Sequence, residues 1–241
     1  MSEKSLSRTL TGEIHQPVRL YYEMYNPEEV IKTLSRLKCI QRDPQRNRFV
    51  WLYQEEAKSL KFAIPYHEID PELQPIVIGS FVVKPRNILI CDVRSVNRAL
   101  LAIPFFDRYI HRKYAKVLNL AILNRYSQIH EDKGSCYDVL FDDYPKKFQP
   151  PFDFISLSDS VKDIEDPMQK ILFLYEHTLK AGEKPLDEIE TFPTNYYEDG
   201  IKALRATLVF REVTATRHFL GDKRLSFNEL MQPICDKILS T

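Results

Sequence analysis

Glycine is scarce in this chain, with 6 among 241 residues against a usual share of about 7%. Phosphate-binding loops need glycine because backbone N–H groups must approach the anion, and neither G-x-G-x-x-G nor G-x-x-x-x-G-K-[ST] occurs. The nucleophile elbow G-x-S-x-G is missing as well. These absences argue against a standard Rossmann or P-loop nucleotide enzyme and against an α/β-hydrolase.

Cysteine and histidine show no metal-binding pattern. Cys39, Cys91, Cys136 and Cys235 lie far apart without a C-x-x-C pair, and the six histidines include no H-x-x-x-H or H-E-x-x-H. We therefore expect no disulfide framework, no metal and no cofactor. Cys39, Cys91 and Cys235 fall within apolar patterns, which favours a role as small buried apolar residues.

Long apolar runs are also missing. The chain starts with polar residues rather than an apolar signal segment, and no later run approaches the roughly 18–20 apolar residues that cross a bilayer. The hydrophobic residues still make up 44% of the chain, which is enough to fill a core. We expect a soluble cytoplasmic protein that does not enter the membrane.

Charge is balanced overall but is unevenly distributed. Residues 1–126 carry 20 Lys and Arg against 13 Asp and Glu, whereas residues 127–241 carry 14 against 21. Most of the positive excess lies in residues 81–126, where the only acids are Asp92 and Asp107. Such asymmetry suggests a polyanion partner, but it suits equally two halves, or two copies, that dock on each other.

The first part of the chain predicts a sheet with one helix. Residues 1–16 lack periodicity, so we expect a flexible tail. Residues 18–25 alternate as a strand, and Asn26-Pro27 begins a helix that runs to about Leu37. Further strands are predicted at 49–53, 60–64, 76–83 and 87–92. We expect an α+β fold in which residues 17–93 form an antiparallel or mixed sheet with one helix on a face.

The remainder predicts a mostly helical region. Ser95 can cap a short helix through Ile103, and Pro104 interrupts it before a longer helix over residues 105–123. Residues 127–165 form a long aromatic and acidic connection, followed by a helical region over 166–241. Its predicted helices cover 166–181, 196–219 and the segment that begins with the capping box at Ser226. We therefore expect four divisions of the chain: the flexible tail, residues 17–126, the connection and the helical region.

A basic face is the leading candidate site. Binding of a polyanion needs Lys and Arg spaced to meet successive negative groups. The candidates lie on a turn, on neighbouring helical turns and on one helical arc: Lys84, Arg86, Arg94, Arg98, Arg108, Arg112 and Lys116. The simpler alternative is a solvated helix face, or one neutralised by the acidic half of the chain.

Two carboxylates stand out as single residues. Asp92 follows a buried strand pattern, where a carboxylate can bind Mg²⁺ or act as a base, but it lacks the further ligands that a metal needs. It can also cap the next helix or pair with Arg94. Glu212 falls within the apolar stripe of the predicted helix 196–219 and therefore needs a partner such as Arg205 or a group from elsewhere in the chain. Residues 207–214 could instead form a strand, which would change the environment of Glu212.

These patterns favour a non-catalytic interaction or regulatory protein that binds a protein partner, or a second copy, through the basic face around residues 84–116. A nucleic-acid-binding protein for RNA or single strands is the first alternative. An unrecognised metal-dependent enzyme built around Asp92 is the second.

Overall fold

The computed structural model describes residues 5–124, 126, 137–147, 160–162, 164–182 and 187–221. The helix predicted from Ser226, together with Cys136 and Cys235, lies outside the described residues. Among these residues no helix combines the length and the apolar character that a membrane crossing requires.

An antiparallel sheet forms the centre of the fold, so the α+β prediction is confirmed. The described strands are β1 (Val18–Met24), β2 (Ile40–Asp43), β3 (Arg48–Leu52), β4 (Val77–Lys84), β5 (Ile88–Val93), β6 (Ala115–Leu123) and β7 (Ile189–Pro193). They are ordered β2-β3-β4-β5-β1-β6-β7. The first strand in sequence therefore lies inside the sheet, paired with β5 on one side and β6 on the other.

Helices from three parts of the chain pack on one face of this sheet. The described helices are α1 (Pro27–Arg36), α2 (Val96–Tyr109), α3 (Tyr137–Leu140), α4 (Pro167–Gly182) and α5 (Tyr196–Leu220). Buried residues of α1, α2 and α5 share one apolar core with the inward-facing residues of the strands. Its centre is aromatic: the ring of Phe106 lies 4.8 Å from that of Trp51 and 4.6 Å from that of Phe81.

Alternation along β1 separates the two faces of the sheet. Val18, Leu20 and Tyr22 enter the core beneath the helices, whereas Arg19 and Tyr21 point to the opposite face, as the period-2 pattern of a strand requires. On that second face, Phe141 packs with Tyr21 in a smaller apolar cluster. The aromatic connection after β6 therefore contributes at least this residue to the body of the protein.

Several local predictions are confirmed with small shifts in their bounds. The side chain of Asn26 accepts a hydrogen bond from the Glu29 N–H, which caps α1 as the sequence indicated. Strands β4 and β5 are both interior to the sheet. The three-residue turn between them has positive φ at Arg86 and Asn87, 59° and 58°, a left-handed backbone that is common in tight hairpin turns.

The strand predicted over residues 60–64 is wrong. Both edges of β3 are occupied by β2 and β4, so no edge remains for another partner. The chain instead makes a short 3-10 turn at Glu55–Ser59 and continues as a loop. Leu60 and Phe62 are buried singly from this loop, which explains their apolar character without a strand.

The helix predicted over residues 105–123 is also wrong. Helix α2 continues through Pro104 and ends at Tyr109, and residues 115–123 form β6. A β-bulge shifts the register, so that Tyr21 pairs with Asn119 while Tyr22 pairs with Val117. The extra residue, Leu118, breaks the period-2 alternation. The sheet therefore extends beyond residue 93 into the part of the chain that was expected to be helical.

Residues 5–16 do not form the expected flexible tail. Thr11, Glu13 and Gln16 are buried, and a bridge joins Arg8 to Ile14. The Thr11 hydroxyl donates to the Glu13 carboxylate at 2.6 Å, and the Gln16 N–H donates to the Arg94 carbonyl. The local contacts, together with the long-range bond to Arg94, hold a segment whose composition alone suggested mobility.

Candidate functional site

The seven predicted cations divide between two ends of the sheet. At one end of the sheet, β1 and β4 finish and β5 and β6 begin; we name this the Arg86 end. We name the opposite end the Arg94 end. Since β5 has six residues and a strand rises about 3.3 Å per residue, the ends are roughly 20 Å apart. The Arg86 end holds Lys84, Arg86, Arg108, Arg112 and Lys116, and the Arg94 end holds Arg94 and Arg98.

Arg98 belongs to the interior. Only 1% of its side chain is exposed, and its Nε lies 3.6 Å from a carboxylate oxygen of Glu13. Its other nitrogens donate to the Thr11 hydroxyl at 2.7 Å and to the Val77 carbonyl at 3.3 Å. Burial lowers the pKa of the guanidinium, and Glu13 opposes this effect. Arg98 therefore joins the N-terminal segment to α2 and does not form part of a surface.

Asp92 forms a buried ion pair with Arg19. The Arg19 guanidinium donates to both carboxylate oxygens of Asp92, at 2.7 and 2.9 Å, and the two residues face each other across β1 and β5. Both are buried. The alternative of pairing was therefore correct, but the partner is Arg19 and not Arg94.

Two cations at the Arg86 end are paired with carboxylates of the same chain. Lys84 Nζ lies 2.7 Å from Asp143, and the Arg112 guanidinium donates to both oxygens of Asp107, at 2.6 and 2.9 Å. Asp107 raises the pKa of Arg112 through these bonds. Part of the predicted basic face is thus neutralised internally.

Four other cations at this end have no carboxylate within 4.0 Å among the described residues, and each lies over an aromatic ring. The pairs are Arg86 over Tyr144 (5.0 Å to the ring centroid), Arg108 over Phe105 (5.6 Å), Lys113 over Tyr114 (4.9 Å) and Lys116 over Tyr197 (5.5 Å). We name these the ring-supported cations. Ring contacts restrict long side chains, so less freedom is lost when an anion binds.

Exposed tyrosines lie beside these cations. Tyr25 is 51% exposed and Tyr109 is 39% exposed. The Tyr25 N–H donates to the Tyr114 carbonyl at 2.7 Å, which fixes the end of β1 against the loop that carries Lys113. Tyrosine and arginine are the residues most enriched in the energetic centres of protein interfaces. The Arg86 end therefore combines both residue types on one surface.

Lys113 and Tyr25 were missed as site residues. Lys113 lies in the basic region of the sequence, but it falls outside the arc of the helix that was assumed there. Tyr25 directly follows β1, and the strand pattern gave no sign of a binding role for it. The proximity of Tyr25 to Lys113 depends on pairing between β1 and β6, which no local pattern contains.

Glu212 lies in α5, as predicted, and is 3% exposed. Its backbone carbonyl accepts a hydrogen bond from the Tyr126 hydroxyl at 3.3 Å. The proposed pairing of its carboxylate with Arg205 stays a prediction.

No group of three His, Cys, Asp or Glu side chains among the described residues is arranged to hold a metal ion. In comparisons with known proteins, no family model, no curated protein and no solved structure matched this chain. Its fold and surface chemistry are therefore the guides to its function.

Proposed function

We propose that this chain is a cytosolic, non-catalytic binding protein whose protein partner presents carboxylates to the Arg86 end of the sheet. The observation that carries the proposal is the set of four ring-supported cations beside exposed tyrosines. Cations already held in place bind an anionic partner at a smaller entropic cost. Tyr25 and Tyr109 add apolar contact area with few rotatable bonds.

A protein partner fits this surface better than a nucleic acid. Carboxylates lie among the cations: Glu23 is opposite Lys116 in the register of β1 and β6, and Asp107 and Asp143 are paired with other cations. A continuous phosphate backbone would meet repulsion at each of these acids. A protein surface can place its own cations against them, because complementary mixed charge determines specificity at protein interfaces.

Binding of a labelled acidic peptide tests the proposal. Fluorescence anisotropy with a poly-glutamate peptide of about 20 residues should show binding that weakens with salt. In Arg108→Glu/Lys113→Glu we expect about a tenfold loss of affinity, since each exposed charge contributes up to about 1 kcal/mol. Tyr25→Ala should also weaken binding without affecting the fold, because its ring is half exposed.

The matched control is Lys58→Glu/Lys61→Glu. Both lysines are exposed, and Lys58 also lies over a ring, that of Tyr66 at 4.9 Å. They are in the loop after β3, at the opposite end of the sheet. Equal loss in the two double variants would mean that only overall charge matters, and the Arg86 end would have no special role. Tighter binding of a single-stranded RNA of similar length would show that the partner is a nucleic acid rather than a protein.

A further inference from the structure

The chain already places an acidic and aromatic segment of its own on the Arg86 end. Asp143 is paired with Lys84 at 2.7 Å, and the ring of the next residue, Tyr144, lies under the Arg86 guanidinium at 5.0 Å. Lys84 and Arg86 flank the tip of the β4–β5 hairpin. Residues 143 and 144 therefore cover two cations of the proposed binding surface.

The backbone before these two residues is anchored separately. Arg19 donates to the carbonyls of Phe141 and Asp142, at 3.3 and 3.2 Å, and the Tyr21 hydroxyl donates to the Asp142 carbonyl at 2.8 Å. Phe141 is buried against the second face of the sheet. These bonds hold the segment to β1 whether or not the side chains of residues 143 and 144 contact the hairpin.

The side-chain contacts of residues 143 and 144 with the hairpin are more exposed to solvent than the backbone hydrogen bonds of residues 141 and 142. The Asp143 side chain is 46% exposed, although that of Lys84 is only 16% exposed, and Asp143 lies no closer than 4.0 Å to Arg19. An ion pair with one exposed partner contributes about 1 kcal/mol. An external carboxylate can therefore displace Asp143 from Lys84 while Arg19 and Tyr21 keep the backbone in place. Displacement of this kind exchanges one carboxylate for another and changes few other contacts.

We infer that the partner of the Arg86 end is an acidic peptide segment with an aromatic residue next to a carboxylate, and that Asp143 and Tyr144 compete with it as an internal counterpart. This inference rests on the proposed function and specifies the chemistry of its partner. In the bound state the aromatic ring of the partner takes the place of Tyr144 at Arg86, whereas Arg108, Lys113 and Lys116 keep their own rings. Because the binding-competent state is the one in which residues 143 and 144 have moved away, the apparent affinity falls in proportion to the fraction of molecules in that state.

The test is binding of a fluorescein-labelled peptide of Asp-Asp-Tyr repeats to the full chain. Asp143→Asn should bind the peptide about three- to fivefold more tightly than the wild type, because an exposed ion pair of up to about 1 kcal/mol no longer competes. Tyr144→Ala should give a gain in the same direction. Acetylation of Lys84 by an amine-reactive ester, measured by mass spectrometry, should become faster in Asp143→Asn.

Asp142→Asn is the matched control. It removes the same charge from the neighbouring residue, whose carboxylate is paired with Lys146 rather than with the hairpin. Its affinity for the peptide and its rate of Lys84 acetylation should remain those of the wild type. An equal gain in Asp142→Asn would mean that net charge alone is responsible and would overturn the inference.

The two proposals fail in different ways. If the wild type binds the peptide through the ring-supported cations but Asp143→Asn binds no better, internal competition is excluded and the proposed function stands. If no form binds the acidic peptides, the proposed function is excluded and the inference with it. A selective gain in Asp143→Asn, together with faster acetylation of Lys84, supports both.

Discussion

The ion pair between Arg19 and Asp92 lies in the interior, because both side chains are buried. Replacement of either residue therefore removes a close opposite charge from the other inside the protein. We expect Asp92→Asn and Arg19→Met each to lower the free energy of unfolding by about 3–5 kcal/mol. Urea denaturation of the full chain measures this loss.

The double variant Arg19→Met/Asp92→Leu is the control for this prediction. It removes both charges, so it should cost much less than the sum of two single replacements. Losses below about 1 kcal/mol in both single variants would show that the pair contributes no more than a surface salt bridge does.

The thiols of Cys39 and Cys91 are fully buried. Burial, with a further contribution from Glu56, raises the pKa of Cys39 to about 12. The thiolate is the reactive form of cysteine, so iodoacetamide at about pH 8 should leave both residues unmodified in the folded protein. Peptide mass spectrometry after labelling, with and without urea, tests this. Modification of Cys39 without urea at the rate of a free thiol would contradict the burial.

At the scale of single elements, β6 shows why sequence patterns fail in a specific way. Its inward residues include Val117, Leu120 and Ile122, and the bulge at Leu118 places two residues between the first two, so that they are three positions apart. That spacing is the mark of a helix, although it arises here from a register shift between strands. Local signals such as the Asn26 cap were sufficient for α1, because a cap depends only on neighbouring residues.

The candidate site shows the same contrast between local patterns, which the sequence reveals, and tertiary contacts, which it does not. Sequence clustering identified most of its cations, since they are close in the chain. The pairing of Lys84 with Asp143 joins residues 59 positions apart, so only the tertiary fold could show which cations are neutralised. Arg98 was misassigned for the same reason, because its partner Glu13 comes from the N-terminal segment.

The start of α2 gives a prediction at this scale. The Ser95 hydroxyl accepts a hydrogen bond from the Arg98 N–H at 3.1 Å, and Ser95 is fully buried. Ser95→Ala should lower the free energy of unfolding by about 1 kcal/mol or more, because a buried N–H loses its acceptor. Ser59→Ala is the control. The Ser59 hydroxyl donates a hydrogen bond to the Glu56 carbonyl in an exposed position, so its loss should have little effect. Equal stability of the two variants in urea would exclude this capping role.

At the scale of the whole molecule, buried thiol and phenol groups that stay protonated predict that the folded protein loses stability in alkali. Burial raises the pKa of both Cys39 and Tyr197 to about 12, from ordinary values of 9.0 and 10.0. The unfolded chain therefore loses these protons at lower pH than the folded protein does. The free energy of unfolding should fall as pH rises from about 9 towards 12, and these groups should contribute no pH dependence below about pH 8.

Urea midpoints at about pH 7, 9 and 10.5 measure this decline. Tyr197→Phe removes one ionising group, so its decline above about pH 10 should be less steep than that of the wild type. A constant midpoint across this range would mean that the thiol and the phenol are accessible in the folded state.

The interior position of β1 has a consequence for how the protein is made. Val18 must join Val93 on one side and Ile122 on the other, so β1 is synthesised about 70 and 100 residues before its two partners. At about 5–20 residues per second, both of its edges stay open for seconds during translation. An unpaired apolar strand is prone to aggregation, so the nascent chain is exposed to this risk until β6 emerges.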